Sequence, residues 1–218
     1  MHYYDCPCDE CRRAGDSMLY ERLIRLLERL EVEIDRPRPN EYESALAWLA
    51  GVCGSYDAVF ALGTARLRGE VPLPSDPRVA EVAGLLRTLA ADLFDAEMEV
   101  AFLRGLARVW EVDPGLVLAP VSAAYVAAGV SWAIGEANGL VGAGRRITSA
   151  AIKQALGTPG GAATYGRPIR RALTGLWEWR DSPAAYGDPG LLTAATRREL
   201  IRVRDRALAA RELDRTAA

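Results

Sequence analysis

The sequence predicts an all-α, multi-helical fold, and three observations predict it. Apolar residues recur at spacings of three and four, capping residues stand ahead of these stretches, and glycine or proline closes them. No segment reads as a β-strand, and no internal repeat is present. Half of the 218 residues are apolar and 26% are charged, a balance that lets a chain bury a core.

Residues 17–34 (SMLYERLIRLLERLEVEI) carry Leu19, Leu23, Leu26, Leu27 and Leu30 with Arg and Glu between them, the pattern of an amphipathic helix. Asp16 or Ser17 caps it, and the run Arg36, Pro37, Arg38, Pro39 stops it, because proline lacks the N–H and restricts its predecessor. Asn40 caps a second helix to about residue 52, and a third is expected over 56–67 after Gly54 and Ser55. Residues 71–75 (VPLPS) are the best candidate linker. Asp76 followed by Pro77 reads as an N-cap with proline in the first turn, opening a helix to about residue 94. Asp95 caps the next helix, to Trp110, which Asp113, Pro114 and Gly115 break. A long Ala-rich helix is expected over 117–138, followed by a glycine-rich loop at 139–144. Thr148 caps a short helix, 149–156, which the GTPGG run at 157–161 terminates. An arginine-bearing helix follows near 165–179, and after a loop at 181–190 a last helix spans 192–213. The expected organisation is a Cys-rich tail (1–15), a helical section (16–73), a five-helix domain (74–180) and a charged C-terminal helix (181–218).

Residues 116–134 approach the length of a membrane span. Pro120, Ser122, Tyr125, Gly129 and Ser131, with no basic flanks, mark them instead as a buried central helix, so no membrane partner is expected. Residues 1–11 hold acidic groups and cysteines where a signal peptide needs a basic and then an apolar run, which points to the cytoplasm.

The net charge of −2 conceals an asymmetry. From Leu140 onward 14 Arg or Lys face 7 Asp or Glu, a local charge of +7, which leaves −9 for the preceding part. A basic C-terminal section suits phosphates, and solvated Arg-rich helix faces explain the same count.

The basic section contains residues 147–157 (ITSAAIKQALG), then a glycine turn, then 167–173 (RPIRRAL). Ile152 and Leu156 of a first helix can pack on Ile169 of a second, whose N-terminal side chains then face a DNA major groove. Arg there makes a bidentate contact to guanine, while neighbouring Arg and Lys neutralise phosphates. Proline is tolerated in a first turn, which places the start of the basic helix at Arg167, just before Pro168. The helix order over 76–173, with the small-residue helix AAYVAAGVSWAI at 123–134 as its third member, resembles a cyclin box of the transcription factor IIB type. It is also similar to an uncharacterised group of bacterial cyclin-fold proteins. The resemblance covers somewhat under half the chain. It implies either DNA binding through the last two helices or, as in cyclins, a protein-binding module. The candidate DNA-binding set is Arg145, Arg146, Lys153, Thr164, Arg167, Arg170 and Arg171.

His2, Cys6, Cys8 and Cys11 lie within ten residues and can place three thiolates and an imidazole around a zinc ion. Only Cys8 and Cys11 have knuckle spacing, and the one other thiol is Cys53, so at most half a zinc ribbon is present. A tail of free thiols explains the same residues. The glycines at 139, 142 and 144, followed by Arg145 and Arg146, lack the preceding strand of a phosphate-binding loop and read as an interhelical turn. Asp92, Asp95, Glu97, Glu99, Glu111 and Asp113 cluster at helix junctions, where capping explains them. Trp110, Trp132, Trp177 and Trp179 are expected in or near the core, although Trp177 and Trp179 cannot share one helix face. With one His and one Lys in the chain, a His-based triad or a Lys-based covalent mechanism has few residues to draw on, and no enzyme is expected. The leading expectation is a bacterial or phage DNA-binding transcription regulator. The alternatives are a helical adaptor for a protein partner, with homodimerisation open, and a metal-dependent helical enzyme.

Overall fold

The computed structural model describes residues 24–25, 40–174 and 186–217. The chain divides into two units, Met1–Asn40 and Glu41–Ala218. Of the first, Ile24 and Arg25 are helical and Ile24 is exposed. The remaining residues of the expected 17–34 helix, together with His2, Cys6, Cys8 and Cys11, lie outside the described residues.

The second unit is all-α among its described residues. Its helices are α1 (Glu41–Cys53), α2 (Tyr56–Phe60), α3 (Pro77–Leu93), α4 (Ala96–Val112), α5 (Gly115–Leu118), α6 (Ala123–Ala137), α7 (Ser149–Leu156), α8 (Ala162–Thr174) and α9 (Ala194–Ala217), with a 3-10 turn at Pro189–Leu191. None of them is long and apolar enough to cross a membrane. The caps are local chemistry. Asp76 accepts hydrogen bonds from the N–H groups of Arg78 (2.8 Å) and Val79, with Pro77 at the first helical position. Asp95 accepts from Met98 N (2.9 Å), Ser122 from Ala124 N and Thr148 from Ala151 N, and Gly157 at φ +63° closes α7.

Helix α6 is the centre of the unit. It is buried along most of its length and packs on α3, α4, α7 and α8. Its small residues permit this, since Ala and Gly let neighbouring helix axes approach. Apolar faces of α3 (Val79, Val82, Leu86, Leu89) and α4 (Met98, Phe102, Leu106, Val109) close around it. At the other side of the unit, α1 packs against α9.

Several expected boundaries shift. The helix expected over 56–67 ends at Phe60, because the backbone beyond is drawn into a long-range contact in which Leu67 N donates to Glu97 Oε1 (3.0 Å). The expected 117–138 helix is two helices broken at 119–122: Pro120 supplies no N–H, and Ser122 starts the next helix as its cap. The arginine-bearing helix begins at Ala162 instead of Arg167, which puts Pro168 in its interior. The segment 71–75 is no open linker, for Val71 and Leu73 pack against the core. The division of the chain falls after Asn40 rather than near residue 73, since α1 and α9 join the same unit as the helices between them.

Several long-range hydrogen bonds converge on the N-terminus of α9. Glu97, only 7% exposed, reaches from the first turn of α4 to accept Ala194 N (2.7 Å) and Leu67 N on one oxygen. A carboxylate there satisfies an otherwise orphaned helix N–H and lies at the positive end of the helix dipole. Asn138 completes the joint: its Oδ1 accepts Thr193 N (2.7 Å), and its Nδ2 donates to the carbonyls of Leu191 (3.0 Å) and Ile134 (2.9 Å). Arg197 donates to the Ala65 carbonyl and lies 4.0 Å from Glu97, while its Nε is buried without a partner among the described residues. Burial pushes its pKa down, and Glu97 opposes that shift.

Candidate nucleic-acid interface

Helices α7 and α8, joined by a glycine turn, stand where the sequence places a helix-turn-helix. Ile152 and Ile169 are buried and Leu156 is half-buried, so all three expected packing residues turn inward. The turn is fixed by backbone and side chain together. Gly157 takes the left-handed conformation, Thr158 Oγ1 donates to the Gly160 carbonyl (3.1 Å), and Ser149 Oγ in the first turn of α7 accepts Ala163 N at the start of α8 (3.3 Å).

The inner face of α8 is held against α6 at a glycine crossing. A methyl group on Gly166 would overlap the Trp132 ring and come within 3.1 Å of the Gly129 carbonyl oxygen, and one on Gly129 would lie 2.7 Å from the Tyr165 carbonyl oxygen. Neither glycine can gain a side chain without moving a backbone. The orientation of α8 about its axis is therefore set by close packing, and with it the set of side chains that point outward.

Those outward side chains include Thr164, Arg167 and Arg171, spaced three and four apart on one exposed face. Arg170 is not part of that face. Its Nη1 donates to Glu136 Oε2 (3.0 Å), and its guanidinium stacks over Trp132, 5.5 Å from the ring centroid. Of the candidate set, Arg170 is thus tied to the body of the unit, and reasoning from spacing alone placed it with the outward group. Lys153 is exposed on α7. Arg145 and Arg146 are exposed at the tip of the turn before it, which a bridge between Val141 and Ile147 closes, with Gly142 N on the Ile147 carbonyl (3.2 Å). Gly139, Gly142 and Gly144 all have positive φ, so these glycines shape a tight turn.

Of the other sequence candidates, Asp95, Asp113, Glu99 and Glu111 take structural roles, and Asp92 is exposed on α3. Among the described residues no group of three or more His, Cys, Asp or Glu could hold a metal. Asp95 caps α4, Asp113 accepts Gly115 N (2.9 Å), Glu111 pairs with Arg108 (3.1 Å) and Glu99 with Arg87 (3.7 Å). Cys53 is buried at the end of α1, where desolvation pushes its thiol up to about 11. Trp132 is buried and Trp110 half-buried, and Trp177 and Trp179 lie outside the described residues. Sequence reasoning missed the Glu97 joint and the contact of Arg170 with Glu136 and Trp132. Glu97 sits in a first turn, where acidic residues are ordinary, so nothing local marks it. Comparison with protein-family models, with curated proteins and with solved structures found no match.

Proposed function

We propose that this protein is a DNA-binding transcription regulator that acts by occupancy, without chemistry, through a degenerate helix-turn-helix formed by α7 and α8. One observation carries the reading: Thr164, Arg167 and Arg171 share the exposed face of α8 while its opposite face is fixed to α6. A helix whose rotation is set by its packing presents the same side chains to a groove each time, which base reading requires. Arg167 and Arg171 contact base edges or phosphates, Thr164 donates to a base or phosphate, and Lys153, Arg145 and Arg146 neutralise backbone charge. The proposal includes the cyclin-like arrangement over 76–173, a cytoplasmic location and a bacterial or phage origin.

The second reading is a protein-binding adaptor. It is favoured by Pro168 in the interior of α8, since the ring intrudes on the face that would enter a groove, and by the salt bridge that withdraws Arg170.

Salt separates the two. Phosphate contacts release counterions, so DNA affinity falls steeply as ionic strength rises, and an apolar interface is far less sensitive. Binding to mixed genomic DNA fragments at low and moderate salt, by the wild type and by an Arg167→Ala, Arg171→Ala double variant, tests this. Salt-sensitive binding that the folded double variant loses supports the DNA reading. No binding at any salt overturns it.

A further inference from the structure

Of the two asparagines in the chain, Asn40 and Asn138, only Asn138 is followed by glycine. Asn–Gly is the pair most prone to lose its side-chain amide, because the nitrogen of the following residue attacks Cγ and glycine has no Cβ to obstruct it. In that reaction the Gly139 nitrogen gives its proton to a base in the solvent and bonds to Cγ. The Cγ–Nδ2 bond breaks and ammonia leaves. Water then opens the five-membered succinimide at either carbonyl, so residue 138 becomes aspartate or isoaspartate. Water is consumed and ammonia released, with no oxidant or reductant.

The folded chain holds Asn138 in a conformation that cannot make this bond. Its ψ is 5°, so the Gly139 nitrogen nearly eclipses the backbone nitrogen of Asn138 and stands about 120° from Cβ in projection down Cα–C. Ring closure needs Cβ, Cα, C and the Gly139 nitrogen to approach one plane. The rotation would break the bonds from Gly139 N to the Glu136 carbonyl (2.9 Å) and from Leu140 N to the Gly135 carbonyl (2.9 Å). The side chain is fixed as well. Only 8% exposed, it accepts Thr193 N (2.7 Å) and the Thr196 hydroxyl (3.1 Å) on Oδ1 and donates to the carbonyls of Leu191 and Ile134. Leu191, Thr193 and Thr196 all stand at the entry to α9, so the side chain is released only when that entry moves.

We propose that Asn138–Gly139 is a deamidation site gated by the α9 joint, inert while the start of α9 is seated and irreversibly converted when it lifts. An aspartate at 138 has no donor for the carbonyls of Leu191 and Ile134, and an isoaspartate adds a backbone methylene at the end of α6, so the joint does not re-form as it was. The assignment is independent of the DNA reading, since it uses no residue of α7 or α8.

The full chain, incubated in mildly alkaline buffer, digested and analysed by mass spectrometry, reports conversion as the change from amide to acid at residue 138 and as separation of the isoaspartyl peptide on chromatography. The expected rate in the native protein is about tenfold or more below that of the same chain unfolded in urea. Glu97→Ala, which removes the acceptor of Ala194 N, is expected to raise the native rate severalfold. Thr196→Val, which removes a donor to Asn138 Oδ1, repeats the test should the first variant fail to fold. Val79→Ala loosens the buried face of α3 beside the Arg78 bond to the Pro120 carbonyl, before the start of α6, and is expected to leave the rate near that of the wild type. Equal rates in the native and unfolded chain, no conversion in the unfolded chain, a folded joint variant that converts no faster than the wild type, or an equal acceleration by Val79→Ala overturns the proposal.

Discussion

Arginine does opposite things at two places in this molecule. At the N-terminus of α9, Arg197 is largely buried, bonded to a backbone carbonyl and set beside the buried carboxylate of Glu97. On α8, Arg167 stands exposed. The first region holds elements together and the second is presented outward, although residue type alone distinguishes nothing between them. The difference lies in what stands opposite. Arg197 faces Glu97 and a loop carbonyl, Arg204 reaches the carbonyls of Val59 (3.2 Å) and Phe60, and Arg170 faces Glu136 and an indole ring. An arginine count therefore measures binding capacity only after these internal uses are subtracted.

The largest expected effect breaks the first region. Glu97→Ala leaves two buried N–H groups without an acceptor and Arg197 without its carboxylate neighbour, and is expected to destabilise by ~3–5 kcal/mol in urea unfolding. A loss under 1 kcal/mol would show that the joint is not the one the geometry describes. Gly166→Ala comes next, at ~1–3 kcal/mol, since the new methyl overlaps Trp132 and presses on the Gly129 carbonyl. If that variant is as stable as the wild type, the glycine crossing does not fix α8.

The pH dependence of the core is expected to be smaller. Cys53 has a folded pKa near 11, raised from 9.0 by burial. A raised pKa contributes stability that is fully present below 9 and lost as pH climbs toward 11. The expected loss across that window is up to ~2 kcal/mol, and Cys53→Ala removes this component. Unfolding curves at several alkaline pH values for both proteins check it. The smallest expected effect on stability is at α8: Arg167→Ala shifts it by under ~0.5 kcal/mol, because the side chain is exposed.

Legibility followed the range of the interactions. Asp76, Pro77, Asp95, Thr148 and Gly157 act within three or four residues of themselves, and the structure has them in the capping and turn roles that local chemistry assigns. The interruption at 119–122 was hidden by Ala-rich helical sequence on both sides of Pro120, although the proline and Ser122 carried the signal. Glu97 was illegible for a different reason. Its partners are 30 and 97 residues away, and no local pattern reports a carboxylate that will cap another helix. At the candidate interface, Ile152, Leu156 and Ile169 were readable from periodicity. The turn of Arg170 toward Glu136 depended on where α6 lies, which spacing along α8 does not contain.

The contrast between Arg170, bonded to Glu136, and the exposed side chains of α8 is tested most directly by DNA affinity measured against salt for the wild type, Arg170→Ala and the Arg167→Ala, Arg171→Ala pair. The account predicts a steep salt slope for the wild type, a shallower slope by roughly 1 to 2 for the pair, and nearly wild-type binding for Arg170→Ala once folding is confirmed. Loss of binding in Arg170→Ala with the pair unaffected would contradict it.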